Sequence, residues 1–272
     1  MNLRNSFAVA VAAALTAVFL AIATPPAKAA TINWSTAQNI TGTASNDVVT
    51  TGSLFASANF YQTVGSGSGN VTVNGVQFDG FGGASLGPNS SAAPGPATLT
   101  VGNITLTGTS NQSSYVNLRA FGPGTGGPAS YNGLLNQTAF LYNSTTTGTM
   151  GVTIGGLTNG AQYLVQYWVQ DGRGGIVTTR TTVVDGVPLK VNVTQTTGGF
   201  GQYITGTFTA NSTTQSFNAV AGNGGVAYAN AMQVRLLAVP EPSTWAMAGV
   251  GAGCAVSWNE FRRRRRAVAT EV

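Results

Sequence analysis

The second half of this chain is dominated by runs in which apolar and polar residues alternate. The strongest run, residues 161–171, places two tyrosines and two valines on one face of an extended strand and Trp168 on the other. Because successive side chains of a strand point to opposite faces, this period of two predicts strands that are buried on one face. Similar runs, separated by Gly and Asn turn signals, cover residues 70–78, 98–107, 115–121, 150–157, 176–184, 187–194, 202–209, 215–220 and 231–237. The chain is therefore predicted to be all-β, with a single β-sandwich or jelly-roll domain.

The first 29 residues follow the plan of a secretory signal peptide. Arg4 precedes an apolar stretch over residues 7–23, and two prolines then lead to the small residues Ala27 and Ala29. A basic start, an apolar helix and an A-x-A site indicate cleavage after Ala29. The alternative is a retained membrane anchor, since seventeen apolar residues approach the length that spans a bilayer.

The C-terminal end contains three elements in a fixed order. The motif Pro240-Glu241-Pro242 is followed by an apolar stretch over residues 245–258. The third element is a run of five arginines, namely Arg262, Arg263, Arg264, Arg265 and Arg266. The prolines favour an extended, accessible segment, and the arginines are expected to stay cytoplasmic as a stop-transfer signal. Taken separately, the apolar stretch could be an interfacial helix and the arginines a nucleic-acid patch.

In this order the three elements resemble the PEP-CTERM protein-sorting tail of exopolysaccharide-producing Gram-negative bacteria. The resemblance implies that a membrane enzyme of the exosortase type recognises Pro240, Glu241 and Pro242 and removes the tail. It also implies transient anchoring in the inner membrane with the C-terminus in the cytoplasm, and a final location at the cell surface or outside the cell. The expected organisation is a signal peptide at 1–29, a sandwich domain at 30–238 and a sorting tail at 239–272, with one apolar helix at each end.

The charge of the chain lies mainly in these two terminal segments. The whole sequence has a net charge of +5, whereas residues 31–238 contain five basic and four acidic residues. A nearly neutral domain lacks the basic stripe that binding to DNA or RNA requires. No nucleic-acid partner is expected.

Residues 156–237 carry a second resemblance. Their motifs GLTNGAQYLVQYWVQD, RTT, GQYITGTF and NAMQVRL resemble the second half of galactose-binding-like jelly rolls. The resemblance implies paired strands that form one sheet, with Phe208 and Phe217 in the core. It also implies that Met232, Val234 and Leu236 point inward from a closing strand.

The inventory of reactive side chains argues against most enzymes. The chain has no histidine and one cysteine, so neither a Ser-His-Asp triad nor a Cys/His zinc site can form. Glycoside hydrolysis usually needs two carboxylates, and only Asp171 with Asp185 or Asp79 could supply them. We expect a protein that is not an enzyme, with a secreted carbohydrate-active enzyme that uses Asp residues as an alternative.

Sugar binding is a further alternative, with Trp168, Asp171 and Arg173 as candidate residues. An exposed aromatic ring can stack on a sugar while carboxylate and guanidinium groups bind its hydroxyls. In the competing interpretation, Trp168 belongs to the core and Asp171 forms an ion pair with Arg173 or Arg180. No cofactor is expected, apart from a structural Ca²⁺ ion that Asp79 or Asp47 could hold.

Together these observations predict an exported protein of the cell envelope or extracellular matrix. Its expected role is structural or associated with exopolysaccharide, and not catalytic. A carbohydrate-binding module with a specific glycan pocket remains the first alternative.

Overall fold

The computed structural model describes most of the predicted domain. The described residues are 29–60, 70–80, 98–109, 115–120, 129–135, 137–142, 149–175 and 179–239. The predicted signal helix, most of the sorting tail and its apolar helix lie outside them.

The described residues form strands and two short helices, as the prediction of an all-β protein requires. The helices are α1 (Ala44–Asp47) and α2 (Ala129–Leu135). The strands are β1 (Asn33–Trp34), β2 (Gln38–Asn39), β3 (Ser53–Asn59), β4 (Val71–Val73), β5 (Val76–Gly80), β6 (Thr98–Val101), β7 (Ile104–Thr109), β8 (Tyr115–Ala120), β9 (Gln137–Tyr142), β10 (Thr149–Ile154), β11 (Gln162–Val169), β12 (Thr181–Val184), β13 (Val187–Lys190), β14 (Gln202–Thr209), β15 (Gln215–Ala221), β16 (Val226–Ala229) and β17 (Ala231–Ala238).

The described strands assemble into three sheets. The large sheet has the order β1-β14-β11-β17-β3-β5-β4, and β2 also pairs with β14. The second sheet has the order β13-β12-β15-β10-β7-β6, and a small third sheet has the order β16-β9-β8. Pairing is antiparallel between the described strands except for β3 and β5, which are parallel. This arrangement is consistent with the predicted all-β sandwich.

The main core lies between the large and the second sheet. The alternating residues of β11 contribute to it, and the Tyr167 ring meets the Phe217 ring of β15 edge-on at 5.9 Å. Phe208, Phe217, Met232 and Val234 are buried in this core, as the resemblance implies, whereas Leu236 is only partly buried against it. A sheet that buries one face in this way explains the period of two in the sequence.

A tight turn connects β4 and β5. Asn74 and Gly75 join β4 to β5 with positive φ angles of 50° and 73°. Both central residues of a type I′ turn have φ above zero, which Asn and Gly tolerate best. The hairpin lies within residues 70–78, one of the segments in which the sequence shows alternation.

Several boundaries differ from the sequence prediction. The strand predicted over 176–184 begins at Thr181, and the strand predicted over 187–194 ends at Lys190. After Lys190 the chain leaves the strand, and a side chain takes the place of strand pairing. The Gln195 backbone N–H donates a hydrogen bond to the Asn192 side chain at 2.9 Å. Asn side chains compete with strand pairing in this manner.

A second core covers the opposite face of the large sheet. It contains Trp168 from β11 and Ala231 from β17, packed beneath residues from the α1 segment, the β4–β5 hairpin and α2. Its buried members are Ile40, Val48, Val73, Val76, Phe78, Tyr131, Leu134, Leu135, Trp168 and Ala231. The large sheet is therefore buried on both faces near the end of β11.

Candidate functional site

The charged candidate residues lie just beyond the end of β11. Val169 ends this strand, and Asp171 follows two residues later with no exposed surface. The Asp171 backbone N–H donates to the carbonyl of Val191 at 2.8 Å. This bond ties the loop after β11 to the segment after β13.

The Asp171 carboxylate accepts four hydrogen bonds. Arg173 donates three of them, from its backbone N–H at 3.1 Å, its Nε at 2.9 Å and its Nη2 at 2.6 Å. Tyr228 donates the fourth from its hydroxyl at 3.1 Å. The Asp171–Arg173 ion pair of the competing interpretation is therefore present. The bidentate pairing of Arg173 Nε and Nη2 with the carboxylate fixes the plane of the guanidinium group.

Tyr228 links this ion pair to a second arginine. Its hydroxyl oxygen accepts a hydrogen bond from Arg180 Nη1 at 2.7 Å. Burial, followed by the Asp171 charge, raises the pKa of Tyr228 to about 12, while the nearby charges of Arg180 and Arg173 act in the opposite direction. The hydroxyl therefore stays protonated at neutral pH and keeps donating to Asp171.

Among the described residues, three cationic residues lie at this end of the domain, beyond the end of β11. The Arg173 side chain is 40% exposed, Arg180 is partly buried, and Lys190 is exposed. Lys190 is the register partner of Thr181, the residue that follows Arg180. We refer to Arg173, Arg180 and Lys190 as the cationic patch.

The electrostatic balance of the pair favours a charged Arg173. Burial lowers the pKa of this guanidinium, but the hydrogen bond and the charge of Asp171 outweigh that effect and raise the pKa above its ordinary value. Arg173 is thus held as a fixed positive charge at the edge of the solvent.

Trp168 does not belong to this site, which corrects the predicted sugar-binding group. Its side chain has no exposed surface. The indole meets the Phe78 ring edge-on at 5.7 Å and the Tyr203 ring at 6.2 Å. An aromatic platform for a sugar must be open to solvent, so the buried Trp168 ring cannot stack on one. The alternation places this ring on the face away from the main core, but a second core covers that face.

The other candidate carboxylates are each engaged elsewhere. Asp47 is buried and accepts bonds from the backbone N–H groups of Thr41 and Gly42. Asp185 accepts bonds from Trp34 Nε1 and the Asn218 backbone, and Asp79 accepts one from Gln77. Each of these carboxylates thus has its own set of partners, separate from that of Asp171.

The predicted calcium ligands gain no support from this geometry. The Asp47 oxygens face N–H donors, whereas Ca²⁺ requires a shell of oxygen ligands. In the described ranges no three residues among His, Cys, Asp and Glu are grouped so that they could hold a metal ion.

A shallow groove lies at the other end of β11. It has a volume of about 170 Å³. We call it the β1 groove, and its lining residues are Asn33, Gln162, Thr207, Phe208, Thr209 and Leu237. Amide and hydroxyl groups dominate this lining. Sequence reasoning could not single it out, because its residues come from four separate strands.

Tyr228 and Arg180 are the site residues that sequence reasoning underestimated. Arg180 enters the sequence prediction only as a possible partner of Asp171, and no local pattern marks Tyr228. Tyr228 lies 57 residues from Asp171 along the chain. Its position is fixed by contacts distant in sequence, namely the pairing of β16 with β9 and the bond from its backbone N–H to Thr182 Oγ1 at 3.0 Å.

The β1 groove adjoins the point at which the chain leaves the domain. Ala238, the last residue of β17, is the register partner of Gln162 at the start of β11. Residues 238–266 match the family described as the PEP-CTERM protein-sorting motif. The chain carries a PEP-CTERM sorting motif. None of the curated proteins and none of the solved structures compared with the chain matches it.

The match confirms the predicted resemblance to PEP-CTERM proteins. The motif implies export, anchoring of the C-terminus in the membrane, and processing by an exosortase. The division of the chain at residues 29 and 238, and the galactose-binding-like detail of the fold, stay predictions.

The predicted sorting residues all fall within the matched segment. Pro240, Glu241 and Pro242 lie near its start, and its last five residues are the predicted stop-transfer arginines Arg262, Arg263, Arg264, Arg265 and Arg266. These eight residues lie outside those the structure describes, so their roles stay predictions. Among the helices of the described segments, none has the length and apolar character needed to cross a membrane.

Proposed function

We propose that this PEP-CTERM protein is a non-catalytic component of the cell envelope or extracellular matrix that associates with exopolysaccharide. The observation that carries the proposal is the sorting motif, which begins at the last residue of β17. The sandwich would thus be the part that remains after the tail is removed.

The state of the titratable groups supports a role without catalysis. Asp47 and Asp171 each accept several hydrogen bonds from donors within the fold. A general acid or base must be free to exchange a proton with a substrate. Residues 31–238 contain no glutamate, and the whole chain contains no histidine.

Processing and location can be tested together in cells that express the full-length chain. We expect mass spectrometry of the mature protein to show loss of the arginine run 262–266, and the protein to fractionate with the extracellular polysaccharide. A variant with Glu241→Ala should keep its tail and stay in the membrane fraction. An intact arginine run on protein located at the surface would contradict the sorting step.

Association with polysaccharide has its own test. Removing the polysaccharide, by deleting the host's export system for it, should release the mature protein into the medium. Retention of all the protein at the cell surface in that strain would contradict the association. Turnover of any polysaccharide that disappears in Asp171→Asn would contradict the non-catalytic role.

A glycan-binding module is the second candidate, and the β1 groove favours it. Gln162, Asn33 and Thr209 line this groove and offer hydroxyl and amide groups that suit neutral sugars. Binding on an array of neutral glycans, weakened by Gln162→Ala but not by the exposed control substitution Thr100→Ala on β6, would support the module.

A further inference from the structure

The charges of the described domain are distributed unevenly. Arg235 is buried, and its guanidinium group donates to the carbonyls of Thr50, Thr51 and Gly52. It therefore presents no charge to a ligand. Arg173, Arg180 and Lys190, by contrast, all lie at the end of the sandwich beyond β11. The carboxylate that pairs with Arg173 there is the buried Asp171.

The two arginines of the cationic patch are held in place by buried partners. The Asp171 carboxylate accepts hydrogen bonds from Arg173 Nε and Nη2, and the Tyr228 hydroxyl accepts one from Arg180. Since Asp171 and Tyr228 have no exposed surface, two buried polar groups orient two cations at the surface. Groups fixed in advance lose less conformational entropy when a ligand binds.

Lys190 supplies a third positive charge at this end. Its backbone N–H donates to Gln202 Oε1 at 2.7 Å, and Gln202 is the register partner of Val169 at the end of β11. The lysine therefore belongs to the same end of the sandwich as Asp171. Three basic residues and one acidic residue give this end of the sandwich a net charge of about +2, in a domain that is otherwise nearly neutral.

We propose that the cationic patch binds the carboxylate groups of an acidic polysaccharide, such as a polymer of uronic acid. This inference rests on the proposed association with exopolysaccharide and names its ligand chemistry. Guanidinium groups match carboxylates in shape and charge. Repeated carboxylates along a polymer would meet Arg173, Arg180 and Lys190 together.

The position of the patch favours a polysaccharide over the anionic surface of the membrane. The chain enters the sorting tail at Ala238, which pairs with Gln162 at the start of β11. The patch lies beyond the opposite end of this strand, whose eight residues span about 23 Å. While the tail is anchored, the cationic patch therefore lies at the end of the sandwich away from the anchor.

The binding test uses the full-length chain in a non-ionic detergent. The arginines of the run 262–266 are replaced by Gln in every sample, so that the tail itself cannot bind a polyanion. Affinity is measured by calorimetry for polygalacturonate, for its methyl ester, which lacks the charges, and for mixed micelles of the detergent with phosphatidylglycerol. We expect binding to polygalacturonate but not to the ester, and weaker binding as NaCl is raised from about 50 to about 300 mM, because salt screens the charges.

Two variants test the patch directly. Arg180→Gln with Lys190→Gln should weaken binding about tenfold, and Lys190→Gln alone, at an exposed position, about threefold. The control is Thr98→Glu with Thr100→Glu, which makes the same change in net charge on β6, at the opposite edge of the second sheet from β13. The control should stay within about twofold of the parent.

Three outcomes would overturn the inference. They are equal binding to the methyl ester, an equal loss in the β6 control, and patch-dependent binding to the phosphatidylglycerol micelles without binding to polygalacturonate. In each case a protein that is still released from cells by loss of the polysaccharide would leave the proposed function intact. If that release fails as well, the association with polysaccharide fails with it.

Discussion

Tyr167 and Trp168 are neighbours in β11, yet their rings lie in two different hydrophobic cores. The Tyr167 ring points between the large and the second sheet, and its hydroxyl donates to the Tyr228 carbonyl at 2.8 Å. The Trp168 ring points the other way and packs against Phe78. The end of β11 is therefore packed against a hydrophobic core on each face, directly before the loop that carries Asp171.

Trp168 should consequently act on stability and not on ligand binding. We expect Trp168→Ala to lower the free energy of unfolding by about 3–5 kcal/mol, because it leaves a large cavity in the second core. Trp168→Phe should cost less, since it keeps an aromatic ring against Phe78. Urea unfolding followed by circular dichroism measures both, and a loss below about 1 kcal/mol in Trp168→Ala would contradict the burial.

Much of the fold follows from the sequence because strand periodicity is a local signal. Each residue pair in β11 carries its own evidence of alternation, as do the residues of β10, β14 and β17. The second core, which buries the Trp168 face of the large sheet, was not predictable from periodicity. Gln166, which the alternation places on the same face as Trp168, is buried because its side chain accepts a bond from the Val49 backbone and donates to the Asp47 carbonyl. These partners lie more than a hundred residues away.

The candidate site shows the same division. The bond between Asp171 and Arg173 spans two residues, and the sequence alone suggests it. Tyr228 comes from a different sheet, so no local pattern could place its hydroxyl on the same carboxylate. Periodicity also separates Trp168 from the face of Tyr167, but it cannot tell whether the Trp168 face is open.

Asp171 should be important for stability as well as for orienting Arg173. Asp171→Asn removes the charge that holds the guanidinium and leaves its donors poorly matched. We expect the free energy of unfolding to fall by about 1–3 kcal/mol, because the carboxylate is buried while Arg173 is partly exposed and screened by solvent. Asp79→Asn, an exposed control, should change it by less than about 0.5 kcal/mol. Equal effects at the two positions in thermal or urea unfolding would argue against a structural role for the pair.

Buried tyrosines should make the domain sensitive to alkaline pH. Burial and the Asp171 charge raise the pKa of Tyr228 from 10.0 to about 12, and burial also raises the pKa values of Tyr131 and Tyr167. A group with a raised pKa in the folded state contributes its full stability below its unfolded pKa and loses it as pH rises through the folded value. Stability should therefore fall from about pH 10 to about pH 12, by on the order of 2 kcal/mol for Tyr228 alone.

The alkaline transition can be assigned to Tyr228 with one variant. Tyrosinate absorbance in the near ultraviolet and circular dichroism are recorded on the same pH series. In Tyr228→Phe the slope of stability against pH, above about pH 10, should be smaller by about 1.4 kcal/mol per pH unit. Identical slopes in the two proteins would show that Tyr228 titrates normally in the folded state.

Arg235 offers a test of how the large sheet is joined to the segment before β3. Its guanidinium group donates to the carbonyls of Thr50, Thr51 and Gly52 at distances of 2.8, 2.8 and 2.6 Å. Arg235→Met would leave these carbonyls without their donors, and we expect a loss of about 2–4 kcal/mol in the free energy of unfolding. Arg235→Lys should recover only part of this, because one ammonium group cannot reproduce the planar fork. The exposed control Lys190→Met should be close to neutral, and full stability of Arg235→Met in urea unfolding would show that water replaces the guanidinium without cost.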